Sequence, residues 1–565
     1  MFNLQFFKEN IFKLFFFVLF FIFFLVGIYQ EFYPFPVWDS FDTQNFFYQY
    51  KKGNVSLNQY LFAQHNEHII IINRLIILLD YYLFNSSVIF LYLANIIFIL
   101  INFISIIYLI ENLSDYKVKN STYYWLLLLV SMLFFNWYQK ENFIQYQQVQ
   151  FNAFITCFLG GVIFLVKYFQ NKKKISVIIS LSLYFLSFYI SGQALVLIFF
   201  YISVCFLTKS FRLMFIYILL TAFVFFLNIS LLGYEFGIYS SKSIDHSNLK
   251  LIFSSLSNLK QAFVSLFLLF GSYFTVYEPS KINLFDIYFG FFIFILVLIT
   301  NFNFFLNFRN NKIEKKFLIS IINFLVFLSL SIVYARYHHN IYIFNHSRYS
   351  TFSILLFIFI IIYFFEYLSF TKNIYKIFSI LVFVTLINQQ FESTKMRNWK
   401  PRSEIAMIDL YLNIYDKDSL KYIYPSDKNN FEHLKGITNN NLNISWHKIK
   451  FSNLLNNIVN QENIDKLDLG KIKECSGVIE GTGVSNEKLY KIDGWVFDLS
   501  KKQVPKIAYL TLNKNIVGFV LTGKIKKHYQ VIPIIDQKIT RKSGFLGYLN
   551  SEFIDKKNEI KFFCV

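Results

Sequence analysis

Apolar segments long enough to cross a bilayer recur throughout this chain, and that property excludes a water-soluble globule. The runs at 15–26, 87–110 and 354–365 are built largely from Phe, Ile and Leu. Crossing a hydrocarbon core of about 30 Å takes roughly 20 apolar residues, and a soluble core has no use for so many such runs. In lipid a helix satisfies its own backbone groups. The expectation is therefore an all-α polytopic membrane domain over 1–390, with about 11 transmembrane helices. The first run follows Lys8 and Lys13, is too long for a signal-peptide core and lacks a small-residue cleavage site. It reads as an uncleaved first transmembrane helix, ended by Glu31, Pro34 and Pro36.

Charge sets the expected orientation. The chain carries 54 Lys and Arg against 34 Asp and Glu, a net charge of +20. In a membrane protein that excess favours anionic lipid head groups, and no zinc-finger spacing, helix-turn-helix cue or basic-aromatic RNA motif points to nucleic acid. With the N-terminus in the cytoplasm, the inner loops collect Lys117, Lys119, Lys172, Lys173, Lys174, Lys209, Arg212, Arg309, Lys312, Lys315 and Lys316. The opposite loops are several-fold poorer in positive charge per residue, so the positive-inside rule gives N-in and C-out. The stretch 259–277 reads as interfacial, which keeps Arg309 to Lys316 inside. The last span falls near 377–388 and delivers the remainder outside the cell's plasma membrane.

That remainder divides into a mixed or linker region, 391–475, and a domain over 476–565. The latter has short alternating runs at 507–512, 516–521 and 531–535, with a turn at 513–515, and reads as a small antiparallel β-sandwich. Cys475 and Cys564 both lie in this remainder after 391 and can pair if it is outside; Cys157 and Cys205 fall in apolar segments as small buried thiols.

The candidate chemistry lies in the outer loops. In the first, Asp39 and Asp42 stand three apart directly after the first helix. They can aim together at a substrate or a divalent ion, or they can cap a helix; spacing alone leaves both readings open. Next come His65, Glu67 and His68. The HExxH zinc pattern is absent, so a polar turn is favoured over a metal site, with Glu67 or His68 free to bind a sugar hydroxyl or phosphate. The apolar stretch 69–84 carries Asn73, Arg74 and Asp80, and reads as a helix on the membrane surface with its polar stripe upward. The second loop, Trp137 to Gln148, holds Glu141, Asn142 and Gln148 among aromatic rings. Rings pack on sugar C–H faces and amides bond hydroxyls; the competing reading is an interfacial aromatic belt. The late loop holds Arg336, then Arg348 and Tyr349. Two Arg side chains suit a phosphate clamp, or else snorkel at helix ends.

One helix, an acid-bearing first outer loop with surface helices, and a late outer loop ending in Ser347, Arg348 and Tyr349 resemble the layout of the GT-C superfamily of polytopic glycosyltransferases. The resemblance covers about 1–388 at the level of layout. It implies a polyprenyl-phosphate-linked sugar as donor and a glycan or lipid acceptor. It also implies Asp39 or Asp42 as base or metal ligand, and Arg348 or Arg336 at the carrier phosphate. Many members have two adjacent acids where this chain has two that are three apart, which leaves magnesium or manganese use open. Asp493 to Asp498, with Gly518 and Gly544, resembles a β-sandwich module that accompanies surface-glycan enzymes. No P-loop or GxGxxG is present, so no separate nucleotide is expected. Two rival classes stand beside this reading: a flippase or transporter of lipid-linked glycans, and a non-catalytic surface-glycan assembly protein.

Overall fold

The computed structural model describes residues 15, 18–29, 39–65, 68–84, 88–113, 121–145, 148–230, 254–271, 283–308, 311–337, 347–367, 399–423, 461–466, 473–485, 488–524 and 543–564. The expected last span at 377–388 and the run at 531–535 lie outside them. The chain forms two compact units. One comprises Met1–Phe32, Val55–Leu79 and Val88–Thr394; the other comprises Tyr33–Asn54, Asp80–Ser87 and Lys395–Val565.

The first unit is helical. In chain order its helices and connecting elements are α1 (Val18–Tyr29), followed, after α2 (Asp39–Lys51) of the second unit, by α3 (Leu57–Phe62). A two-strand hairpin, β1 (Gln64–His65) and β2 (His68–Ile69), leads into α4 (Ile71–Phe84), whose last residues belong to the second unit. Then come α5 (Ile89–Leu113), α6 (Ser121–Phe134), α7 (Lys140–Ile144), α8 (Val149–Asn171), α9 (Lys174–Ser187), α10 (Ala194–Leu207) and α11 (Phe211–Ser230). The last four are α12 (Leu256–Gly271), α13 (Leu284–Leu306), α14 (Ile313–Arg336) and α15 (Ser347–Tyr367). Six helices among the described residues are long and apolar enough to cross a membrane: α5, α8, α11, α13, α14 and α15. Helix α15 is the central one, buried nearly all round, whereas α11 and α13 expose rows of Phe, Leu and Ile, as lipid-facing helices do.

The stretch 259–277, expected to be interfacial, supplies α12. Towards its C-terminus Ser265, Leu266 and Leu268 to Gly271 are buried. Helices α12 and α13 meet backbone to backbone at two glycines. A Cβ on Gly290 would lie 1.8 Å from the Phe267 carbonyl oxygen, and one on Gly271 would lie 1.9 Å from that of Asp286. Such small-residue crossings let helices gain dispersion contact where no hydrophobic force drives them together.

The second unit ends in a barrel, not the expected sandwich. Its strands are β3 (Lys473–Ser485), β4 (Leu489–Phe497), β5 (Ile507–Leu512), β6 (Asn515–Lys524), β7 (Gly544–Asn550) and β8 (Lys561–Cys564), closed in the order β3-β4-β7-β6-β5-β8. Closure rests on the last short strand. β8 pairs on one side with Lys473–Cys475 of β3 and on the other with β5. From Ser476 to Ser485 the long β3 pairs with β4 through two register shifts, and such bulges supply the bend a closed sheet needs. Cys475 and Cys564 form a disulfide across the closing pair. The β5–β6 turn runs through Asn513 and Lys514, both at positive φ, as a two-residue hairpin turn demands.

Ile479, Val496, Leu510, Val520, Phe545 and Phe562 fill the barrel. A second apolar cluster lies on its outside. There α16 (Trp399–Tyr411) and α17 (Lys417–Leu420) contribute Ile405, Ile408 and Leu420 against Leu489, Phe519 and Tyr548. Part of the region expected to be mixed or linker thus shares a core with the barrel. Within this contact the Lys491 Nζ lies 2.7 Å from Asp409 Oδ2 and 2.5 Å from Asp416 Oδ2.

Gly290→Ala should lower the thermal unfolding midpoint in detergent, an overpacking cost of about 1–3 kcal/mol, because the atoms nearest the added methyl are backbone atoms of Phe267, which cannot turn aside. Gly160→Ala is the comparison, since there the added methyl meets the far end of Leu183 at 3.0 Å, which can turn aside. Equal midpoints would remove the crossing as a determinant.

Asp498 closes the turn after β4. Its Oδ1 accepts hydrogen bonds from Ser500 Oγ at 2.7 Å, Ser500 N at 2.9 Å and Lys501 N at 3.0 Å. Burial pushes this carboxyl up, but those donors outweigh it and hold it below the usual aspartate value. Its stabilisation is therefore complete above the ordinary value of about 3.8 and is lost as pH falls through the lower folded value. Asp498→Ala should flatten that acid limb in a pH series of barrel unfolding; an unchanged limb would assign the acid sensitivity elsewhere.

Candidate functional site

The first loop opens with α2, whose first residue is Asp39 and whose first turn includes the half-buried Asp42. Three residues apart on a helix, the two share a side. The side chains of Asp39, Glu67, His68 and Arg348 lie outside the described residues. The polar turn expected at 65–68 is a hairpin in which His65 and His68 are direct register partners. Just before it, Ser56 and Gln59 form a reciprocal capping box at the start of α3.

Arg74 closes the other end of α3. Its Nη1 donates to the Leu61 carbonyl at 3.0 Å and to that of Ala63, the carbonyls a helix end leaves unpaired. The guanidinium also lies over the Tyr60 ring. Burial pulls it down to about 10, partly offset by Tyr60, so it stays charged at neutral pH. The polar stripe of α4, expected to face upward from a membrane surface, packs against protein. Asn73, Arg74 and Asp80 are buried, while Leu75, Leu79, Tyr82 and Leu83 are exposed. Ile76, Ile77 and Leu78 are buried with them, so α4 packs its polar residues and part of its apolar surface against protein and leaves a row of Leu and Tyr outward.

The second loop is an interior element as well. Trp137, Tyr138, Gln139, Glu141, Asn142 and Gln148 are all buried. Trp137 lies flush against α1, where a Cβ on Gly27 would overlap its ring. The amides form a relay. Asn142 Nδ2 donates to Thr351 Oγ1 at 2.6 Å, Thr351 Oγ1 donates to Gln139 Oε1 at 2.7 Å, and Gln139 Nε2 donates to the Phe134 carbonyl at 2.5 Å. On the other side, Asn95 Nδ2 donates to the Asn142 carbonyl at 2.8 Å. A ladder between α5 and α8 continues from there: Asn152 Nδ2 to Asn95 Oδ1 at 2.7 Å, Asn102 Nδ2 to the Asn152 carbonyl at 2.9 Å, and Thr156 Oγ1 to Asn102 Oδ1 at 2.8 Å.

Thr351 lies one helical turn after Arg348, so the relay joins the second loop to the start of α15. Tyr349 is buried there. Arg336 is the half-buried last residue of α14, and its neighbour Tyr337 donates to the Asn258 carbonyl at 2.9 Å. The first unit thus brings together Asn142 and the Arg348–Tyr349 turn through Thr351, and holds Glu141, Gln148, Arg74 and Arg336. Asp39 and Asp42 belong to the second unit. Among the described residues no group of three or more His, Cys, Asp or Glu could hold a metal ion.

Comparison with protein-family models, with curated proteins and with solved structures finds no match. The sequence reading had missed Asn95, Asn102, Asn152, Thr156 and Thr351. A signal was present: Asn95 and Asn102 are seven apart, and Asn152 and Thr156 four apart, in otherwise apolar helices, which puts each pair on one face.

Thr351→Val keeps the shape but leaves the Asn142 amide and the Gln139 carbonyl group each without its hydroxyl partner. It should destabilise the first unit by about 1–3 kcal/mol, whereas Thr351→Ser should change little. Thermal midpoints in detergent decide this; equal values for the two variants would show that the relay contributes nothing.

Proposed function

We propose that this chain is a membrane glycosyltransferase that moves a sugar from a polyprenyl-phosphate carrier to a surface glycan or lipid acceptor. The observation that carries the reading is the placement of Asp39 and Asp42 in the opening turn of α2, the first described element after α1, within a folded segment that precedes α5. A base at Asp39 or Asp42 deprotonates the acceptor hydroxyl, and Arg348, with Arg336 as the alternative, stabilises the departing carrier phosphate. The relay through Thr351 supports a positioning role for the second loop, since it holds that loop to the turn bearing Arg348. The proposed orientation is N-in and C-out with about 11 spans. The Cys475–Cys564 disulfide supports an oxidising, extracytoplasmic side for the C-terminal unit, while Cys157 and Cys205 are free and buried.

Asn caps a helix as well as Asp does, but it cannot accept the proton. Asp39→Asn or Asp42→Asn should therefore slow glycan transfer by roughly 10²–10⁴-fold at the true base, with unchanged detergent stability. Activity within a few-fold of wild type in both variants would discard the mechanism and leave a binding or assembly protein in front.

A further inference from the structure

The strongest unexplained chemistry lies in the second unit, where α16 and α17 meet the barrel. Lys491 on β4 and Asp409 on α16 form a buried ion pair at 2.7 Å, with side-chain exposures of 7% and 0%. Asp416, at the start of α17, reaches the same ammonium at 2.5 Å and is 19% exposed. Tyr548 Oη donates to Asp409 Oδ1 at 2.7 Å, and Ser419 Oγ donates to Asp409 Oδ2. The Lys491, Tyr548 and Ser419 side chains thus hold the Asp409 carboxyl, and Asp416 meets it through Lys491.

We propose that Lys491 and Asp409 condense into an isopeptide bond, with Asp416 carrying the proton, so that α16 is covalently tied to β4. Three features of the site favour it. Taking an ion pair out of water costs free energy for each ion, and condensation removes both charges. The amine is held against the carboxyl, and effective molarities for well-oriented neighbours reach roughly 10⁵–10⁸ M. The surroundings are largely apolar, with Ile405, Ile408, Leu489 and Phe519 in the same cluster, which leaves little water at the carboxyl to reverse the step.

The step balances without any co-reactant. Proton transfer within the ion pair gives the neutral amine and acid. Lys491 Nζ attacks Asp409 Cγ, forming the N–C bond, while Oδ1 takes up negative charge against the Tyr548 hydroxyl. The nitrogen's proton passes to the Asp416 carboxylate and from there to Oδ2. The Cγ–Oδ2 bond breaks, water leaves past the partly exposed Asp416, and Asp416 is a carboxylate again. The net change is ammonium plus carboxylate to amide plus water. The two acids are set for these parts. Burial lifts Asp409 above the ordinary aspartate value, towards the acid form that is attacked. In Asp416 burial acts upward too, but the Lys491 contact and the Asp418 and Ser419 amides outweigh it and keep the carboxyl low, as a proton acceptor needs.

The experiment is the mass of the full-length protein, purified in detergent, with its disulfide reduced and alkylated. The wild type should be lighter than its sequence by one water, about 18 Da, and a tryptic peptide containing Asp409 should be joined to one containing Lys491. Lys491→Arg should show full mass. Asp416→Asn should keep the protease resistance of the C-terminal unit yet remain largely uncondensed over the same time. Wild-type protein at full mass after prolonged incubation, with the two peptides separate, would overturn the proposal and leave an ion pair. Water loss that maps to other peptides would overturn it equally. An Asp416→Asn variant that condenses as fast as wild type would overturn the role given to Asp416.

Discussion

The Thr351 hydroxyl, accepting from Asn142 and donating to Gln139, is the joint on which the first unit turns. An apolar helical unit offers a polar side chain few partners, and an unpaired one costs about 1–3 kcal/mol. Once Asn142 is committed to Thr351, its own carbonyl is oriented to accept from Asn95, and Asn95 in turn accepts from Asn152. A loop that composition would put at the surface is thereby built into the interior, against α5, α8 and α15. Trp137 follows it inward and seats against the bare backbone of Gly27.

The same requirement explains why Arg74 of α4 is buried. Arg74 satisfies two carbonyls at the end of α3, and a cation placed there meets the negative end of the helix dipole. Burying that side leaves Leu75 and Leu79 outward. A polar residue on an amphipathic helix is read as facing water only when no protein partner competes for it.

In the second unit the governing constraint is the closing of a sheet. An open sheet exposes unpaired edges, and β8 removes both by lying between β3 and β5. The disulfide secures that closure, and α16 covers the apolar outer face that a small barrel cannot bury by itself. The Lys491, Asp409 and Asp416 contact is where the helix and the strand are most firmly tied.

Local sequence determined the elements whose cause is local. The apolar runs specify helices long enough to cross a membrane. The alternating residues of Ile507–Leu512 form a strand with the bounds read from the pattern, and the turn at 513–515 follows from residues that tolerate positive φ. What the tertiary structure decided is where each polar group finds its partner. Asn142 and Thr351 are 209 residues apart, Asp409 and Lys491 82 apart, and β8 pairs with strands far from it in sequence. Such pairings carry no periodicity. Whether a buried amide, an arginine or a terminal strand faces solvent, a neighbour or the core depends on which hydrogen-bonding groups the folded chain brings within reach, and only the assembled fold fixes that.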